Sequence, residues 1–172
     1  MTPSAPTIRR ITRELLEPVS GVHRAMVTAT ESGVVAGLGL LGDLELPEPA
    51  GTWTTLRSDG DAVAAGESIV EVVGSAWGLA IAEDHLLGPI GVASGIAGAA
   101  LALAGAAPPG LRLSCGAWKK LPSAVKPGHR AGLDVAGVSH RLVEGEFVYV
   151  DKNVARLLGG PTRAARAGLG LD

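Results

Sequence analysis

The segment from Leu86 to Leu111 carries no charged residue over 26 positions, and this constrains the chain more than any other feature. A run of that length is nominally able to span a bilayer as one helix. It is built mostly from Ala and Gly, with Pro89 near its start and Pro108-Pro109 near its end, and residues this small gain little by entering lipid. The favoured reading is a helix over 86–107 buried in a soluble fold, where small side chains let neighbouring elements approach closely. A membrane span is the alternative.

With 172 residues the chain makes one or at most two domains, enough to bury a core. A hydrophobic share of 47% excludes a disordered chain. Lys and Arg number 15 against 17 Asp and Glu, so there is no basic excess to hold a phosphate backbone, and no nucleic acid partner is expected. The aromatics are only Trp53, Trp77, Trp118, Phe147 and Tyr149, which leaves Ala, Val, Leu and Gly to build the core. Cys115 is the single cysteine, and no Cys/His cluster has zinc-ligand spacing. A reducing, cytoplasmic compartment and no metal site follow as expectations. Met1 to Arg10 is Pro/Ser-rich with no apolar stretch behind a basic start, so no secretory signal is expected.

Thr7 to Val19 places Ile8, Ile11, Leu15 and Leu16 near one helical face and ends at Pro18. From His23 the apolar residues alternate, and Val34-Val35 follow a turn at Ser32-Gly33, which predicts two strands or a strand and the start of a buried helix. Trp53 to Arg57 and Ser68 to Val73 read as strands around the turns Ser58-Asp59-Gly60-Asp61 and Ala65-Gly66-Glu67, because Asp and Gly supply side-chain caps and positive φ. The same pattern occurs in lipoyl-type and biotinyl-type barrels. Those need a modifiable lysine at the hairpin tip, and none lies between Arg57 and Trp118.

Beyond the Pro108-Pro109-Gly110 break, Leu111 to Cys115 reads as a buried strand, Gly128 to Ala136 as loop or short helix, and Phe147 to Val150 as a strand. Asp151 to Leu158 is a potential helix, and Gly159 to Asp172 a mobile basic tail. Alternation of strand and helix predicts a parallel layer of about two units in this half.

Lys119, Lys120, Lys126, His129, Arg130, His140 and Arg141 fall within 23 positions, with Asp134 the only acid among them. At the carboxyl ends of two adjacent parallel strands they would form an anion pocket. From composition alone a solvated basic loop is the commoner outcome. Glu83, Asp84 and His85 are read as helix-start capping residues, since adjacent residues on a helix do not face one another. His23 is read as a surface histidine, Cys115 as a small hydrophobe in an apolar strand, and Glu144 and Glu146 as part of a solvated turn.

The order of several segments carries a resemblance. ESGVVAGL (31–38), DGDAVAAGESIVEVVG (59–74), AEDHLLGPIGVASGIA (82–97), WKKLP (118–122), GVSHRL (137–142) and FVYVDKN (147–153) resemble, in order and spacing, successive motifs of the quinolinate phosphoribosyltransferase family. That family is also called carboxylating nicotinate-nucleotide pyrophosphorylase. The resemblance covers roughly residues 11–155, without gaps from Leu121 to Asn153. It implies an α+β or α/β fold: an N-terminal α/β sandwich-like domain over residues 1–108, a truncated segment of the type II phosphoribosyltransferase α/β barrel over 109–158, and the tail at 159–172.

The resemblance further implies dimers in which one subunit's N-terminal domain covers the other's barrel mouth. It implies binding of the two carboxylates of quinolinate, displacement of pyrophosphate from Mg-bound phosphoribosyl pyrophosphate, and loss of carbon dioxide. Mg with phosphoribosyl pyrophosphate is called for only if that activity survives. His140 and Arg141 match the family's carboxylate-binding His-Arg pair; Lys119 and Lys120 match its Arg-Lys pair, with the first position changed and the following Thr deleted. Lys152 and Glu83 are weaker candidates.

There are also departures. Asp84 stands where the resemblance calls for an arginine that reaches across the dimer, and Asp151-Lys152-Asn153-Val154 stands where it calls for Lys-Asp-Asn-His. Read as a strand, that one-residue shift turns Lys152 to the other face. The later barrel strands, which carry the family's ribose-binding acids and phosphate loops, are expected to be missing. Two functions follow: a related enzyme, split or repurposed to another anionic small molecule and not a competent phosphoribosyltransferase alone; or a non-catalytic homologue binding a ligand or a complementary subunit. A membrane-associated protein using the uncharged segment is a third.

Overall fold

The computed structural model describes residues 5–44, 51–141 and 149–168. The chain forms two compact units, 1–140 and 141–172. It is a mixed helical and sheet protein, as the patterning predicts, but its sheets are antiparallel.

The first unit opens with α1 (Ala5–Leu16), where Arg10 and Glu14 pair across one turn at 3.1 Å. Of its apolar stripe, Ile11 and Leu15 stay exposed. A three-stranded sheet follows, in the order β1 (His23–Thr28), β5 (Ser68–Gly74), β3 (Thr52–Thr55), with β5 antiparallel to both neighbours. The register pairs Val27 with Val70 and Trp53 with Val72, so these four share the face that meets the core. On the other face Arg24 bonds Glu71 across the two strands at 2.8 Å.

The turns legible in the sequence form as expected. Gly60 and Gly66 take φ of 95° and 86°, Asp61 Oδ2 accepts from Ser58 N at 2.8 Å, and Glu67 Oε2 accepts from Ala64 N at 2.9 Å. Between these turns β4 (Ala62–Val63) pairs antiparallel with β2 (Gly33–Val34). Asp59 does something the local pattern does not disclose. Its carboxylate leaves its own turn and accepts from the backbone N–H groups of Leu38 (2.8 Å) and Gly39 (3.2 Å), holding the 3-10 helix Leu38–Asp43 to the Ser58–Asp61 turn.

The uncharged run forms α2, but the helix is longer than predicted, Ala76–Ala106. It starts at Ser75, whose hydroxyl accepts from Gly78 N at 3.0 Å, the usual way to satisfy a free N-terminal N–H. Glu83, Asp84 and His85 therefore lie inside the helix and do not cap its start. His85 donates from Nδ1 to Ile81 O at 2.8 Å. Pro89, which resembles a start signal, sits in the helix interior, where it removes one backbone hydrogen bond.

By length and composition α2 is able to cross a membrane, yet it runs past three clusters of this unit's core. Ala82, Leu86 and Ile90 join Val35, Leu41, Val70 and Val72; Ala93 and Ala97 meet Ala36; Ala100 meets Leu133 and Val138. Its burial is one-sided: Leu87, Val92, Leu101 and Leu103 remain exposed.

Two contacts fix α2 closely to its neighbours. Ser94 Oγ accepts from Ala36 N at 3.0 Å and donates to Ala36 O at 3.3 Å. The helix α3 (Lys126–Val135), read as loop or short helix, approaches α2 through Gly128 and Gly132. A Cβ on Gly132 would stand 2.5 Å from Ala93 O and 2.9 Å from Ile96 Cβ.

The predicted buried strand at Leu111–Cys115 reduces to a single parallel bridge, Ser114 with Ser139. Its backbone bonds are Cys115 N to Ser139 O at 2.8 Å and Ser139 N to Leu113 O at 3.2 Å. Leu111 and Ser114 are exposed. The predicted strand at Phe147–Val150 lies largely outside the described residues, as do Glu144 and Glu146.

In the second unit, α4 (Lys152–Leu157) is capped by Asp151, whose Oδ1 accepts from Asn153 N and Val154 N at 2.8 and 2.9 Å. Lys152 is thus an exposed first-turn helical residue, and the strand-face argument for it does not apply. The residues Pro161–Gly168, read as tail, form α5.

Substitution of Gly132 by Ala forces α2 and α3 apart and is expected to cost about 1–3 kcal/mol, the usual range for overpacking. Ser94→Ala leaves the buried Ala36 N–H without its partner, at a cost of about 1–3 kcal/mol. Urea unfolding read by circular dichroism measures both, and wild-type stability in either variant would show that the α2 contacts are not tight.

Candidate functional site

The Ser114–Ser139 pairing brings two distant stretches of the basic region together. Because the paired segments are parallel, the chain leaves both at the same end. One continues into the 3-10 helix Gly116–Lys120 and the other into His140. The bridge pairs the two stretches at Ser114 and Ser139, six residues before Lys120 and one before His140. Lys120 is exposed. The side chain of Lys119 lies outside the described ones, and Arg141 opens the second unit.

His140 does not stand open to an anion alone. Its Nδ1 lies 3.6 Å from Asp134 Oδ1, with the carboxylate largely exposed. Asp134, on α3, is the sole acid in the basic run, and it faces the histidine expected to bind a carboxylate. Glu83 and Asp84 are exposed on α2. Among the described residues no three His, Cys, Asp or Glu side chains gather to hold a metal ion.

Sequence reasoning missed His129. It belongs to the basic run yet is only 5% exposed, turned inward from α3 beside Gly128. Its Nε2 lies 3.5 Å from Cys115 Sγ, while Nδ1 is buried without a hydrogen-bond partner. Burial is the main cause holding its pKa below the ordinary 6.5, and the nearby charges of His140 and Arg130 lower it further. The available signal was the Gly128/Gly132 pair, whose spacing of four marks the packed face of a helix.

A cavity of about 470 Å³ lies elsewhere in this unit, between the β1–β2 turn and α2, lined by Thr28, Thr30, Glu31, Ser94, Leu87 and Gly91 among others. None of the expected site residues lines it.

No protein-family model and no curated protein sequence matches the chain. Solved structures do. NadC from Streptococcus pyogenes superposes with a TM-score of 0.63 at 20% identity, over 99% of this chain and 67% of that one. The nicotinate-nucleotide pyrophosphorylase from Ehrlichia chaffeensis gives 0.65 at 19% identity, over 97% and 65%. That from Pyrococcus furiosus gives 0.58 at 22% identity, over 92% and 40%. The chain therefore has a fold similar to these pyrophosphorylases along nearly its whole length, and spans about two thirds of the first two.

The buried His129 gives stability a pH dependence of known sign. A histidine whose folded pKa lies below its unfolded value takes up a proton on unfolding, so its contribution is complete above about pH 6.5 and is lost as pH falls. Urea midpoints measured from pH 7.5 down to 5 should fall less steeply in His129→Gln than in wild type. Parallel curves would contradict the assignment.

Proposed function

We propose that this chain is a relative of the nicotinate-nucleotide pyrophosphorylases that binds an anionic small molecule and does not itself transfer a phosphoribosyl group. The observation that supports the reading is the parallel Ser114–Ser139 pairing, after which the two stretches run on toward Lys120 and His140. The similarity of fold to NadC supports it. The proposed ligand is an aromatic carboxylate or a phosphate, with Lys119 and Lys120 supplying cationic donors and His140 an imidazole. Charge-assisted hydrogen bonds of this kind suit carboxylates and phosphates.

Charge opposes phosphoribosyl transfer. Asp84 places a carboxylate where the resemblance calls for an arginine, and Asp134 already faces His140. Each lost electrostatic contact costs about 10²–10³ in rate if it acts in the transition state. Lys152, at the start of α4, is not in the register that the resemblance requires.

In calorimetric titrations with quinolinate, nicotinate and phthalate, at least one should bind, and Lys120→Ala should weaken it by about 1.5–3 kcal/mol, the value of a charged hydrogen bond. No binding below millimolar would abandon the small-molecule reading. With quinolinate, Mg and phosphoribosyl pyrophosphate, carbon dioxide release should stay at the rate without enzyme, and turnover above it would defeat the argument from charge.

A second reading, association with another copy of this chain, is favoured by the apolar side chains left uncovered on α1 and α2, among them Leu15 at 73% and Leu103 at 62% exposure. Contiguous exposed apolar surface commonly marks an interaction face. Sedimentation equilibrium at micromolar concentration should give a dimer or larger species, and a monomer of 17.3 kDa would refute it.

A further inference from the structure

The pair Cys115 and His129 belongs to neither the anion-binding reading nor the fold's main core. Cys115 is held at the one parallel bridge, its N–H bonded to Ser139 O. That bond fixes the direction in which its side chain leaves the backbone. The thiol is half-buried beside Ala100, Leu133 and Val138, and its sulfur meets His129 Nε2 at 3.5 Å.

A small hydrophobe in this place needs no imidazole beside it. His129 is the only buried polar or charged side chain among the described residues, and its Nδ1 is left without a partner. A buried polar atom in that state is costly and calls for an explanation. With no second hydrogen bond to lock the tautomer, Nε2 is free to act as acceptor toward the thiol. Its environment also keeps it ready: burial, His140 and Arg130 all disfavour the imidazolium form, so near neutral pH the ring holds an open lone pair.

We propose that Cys115 and His129 form a thiol-exchange site for anionic, low-molecular-weight disulfides. The S–H proton passes to His129 Nε2. The sulfur's electron pair then forms a bond to one sulfur of the disulfide, whose S–S bond breaks onto the other sulfur. That departing thiolate takes the proton from His129 and leaves as a thiol. The balance is protein thiol plus disulfide giving protein mixed disulfide plus free thiol, and the small disulfide is the oxidant. Cys115 is the only cysteine, so no intrachain disulfide can resolve the product. It persists until a second thiol attacks it. Preference for an anionic partner follows from Arg130, the exposed guanidinium next to His129 in the chain, whose charge acts on His129 and attracts a negative reagent. The proposal does not depend on the anion-binding reading.

The test uses the full chain and two chromogenic disulfides, the dianionic 5,5′-dithiobis(2-nitrobenzoate) and the neutral 4,4′-dithiodipyridine. One thiol per chain makes the stoichiometry unambiguous. Near neutral pH the native thiol should react about fivefold or more faster with the dianion than the same thiol does in concentrated urea, a modest share of what a positioned base supplies. The native-to-unfolded ratio should be smaller for the neutral reagent. His129→Gln, with an unchanged circular dichroism spectrum, should lose the advantage with both reagents. A native rate equal to or below the unfolded one would overturn the proposal, since an inert half-buried thiol is slowed by folding. That comparison needs no variant, so it decides the matter even if His129→Gln does not fold. Equal native-to-unfolded ratios for the two reagents would overturn the preference for anions.

Discussion

Close approach of backbone to backbone along α2 is the constraint on which the first unit depends. Ala93 marks the point on one side of which Gly37 stands and on the other Gly132. A Cβ at Gly37 would lie 2.8 Å from Ala93 Cβ and 2.9 Å from Pro89 O, at a φ of 91° that disfavours any side chain. The same helical turn thus admits the loop before the first 3-10 helix and α3. Neither would fit if α2 carried ordinary large side chains there. The Ala/Gly composition that makes the helix look like a poor membrane span is what makes it a usable spine.

Such packing buries little area per residue, so polar ties do much of the positioning. Ser94 takes both backbone groups of Ala36, and Asp59 takes two N–H groups from the next turn of the same loop. These four bonds hold residues 36–39 between α2 and the Ser58–Asp61 turn. Leu38 and Leu41, carried by that segment, then reach the cluster formed with Val70, Val72, Leu86 and Ile90. The polar contacts and the apolar cluster are therefore two parts of one arrangement: the first sets the loop's path, and the second is what that path permits.

What the sequence discloses is local and periodic. Strands β1, β3 and β5 and their Asp/Gly turns are legible because alternation and positive-φ glycines act within a few residues. The start of α2 is not. A helix apolar all round has no stripe to mark its phase, and Pro89 imitates an N-terminus while Ser75 supplies the true one. The reach of Asp59 to Leu38 and Gly39 is equally hidden, since in sequence it is one more turn aspartate. At the site, the parallel pairing of Ser114 with Ser139 was legible as two strand ends lying side by side, whereas the inward turn of His129 was masked by the cations around it. Lys152 was misplaced for a related reason: Asp151 can end a strand or cap a helix, and its bonds to Asn153 and Val154 settle it as a cap.

The Ser114–Ser139 bridge carries two kinds of chemistry, and their rigidity differs. Toward the core it sets Cys115 against His129, which α3 holds between two glycines packed on α2. Away from the core the pairing is released at once: Gly116 begins a 3-10 helix, Lys120 is exposed, and His140 leans toward a solvent-facing Asp134. A ligand bound by Lys120 and His140 must order long side chains and draw one of them from its acid, and such ordering reduces affinity. The thiol and imidazole meet no such cost, because packing has already brought them together. The same bridge therefore holds a preorganised sulfur–nitrogen pair on one side and leads into a loosely held basic stretch on the other. Of the two, only the pair has the fixed supporting shell that a functional constellation requires.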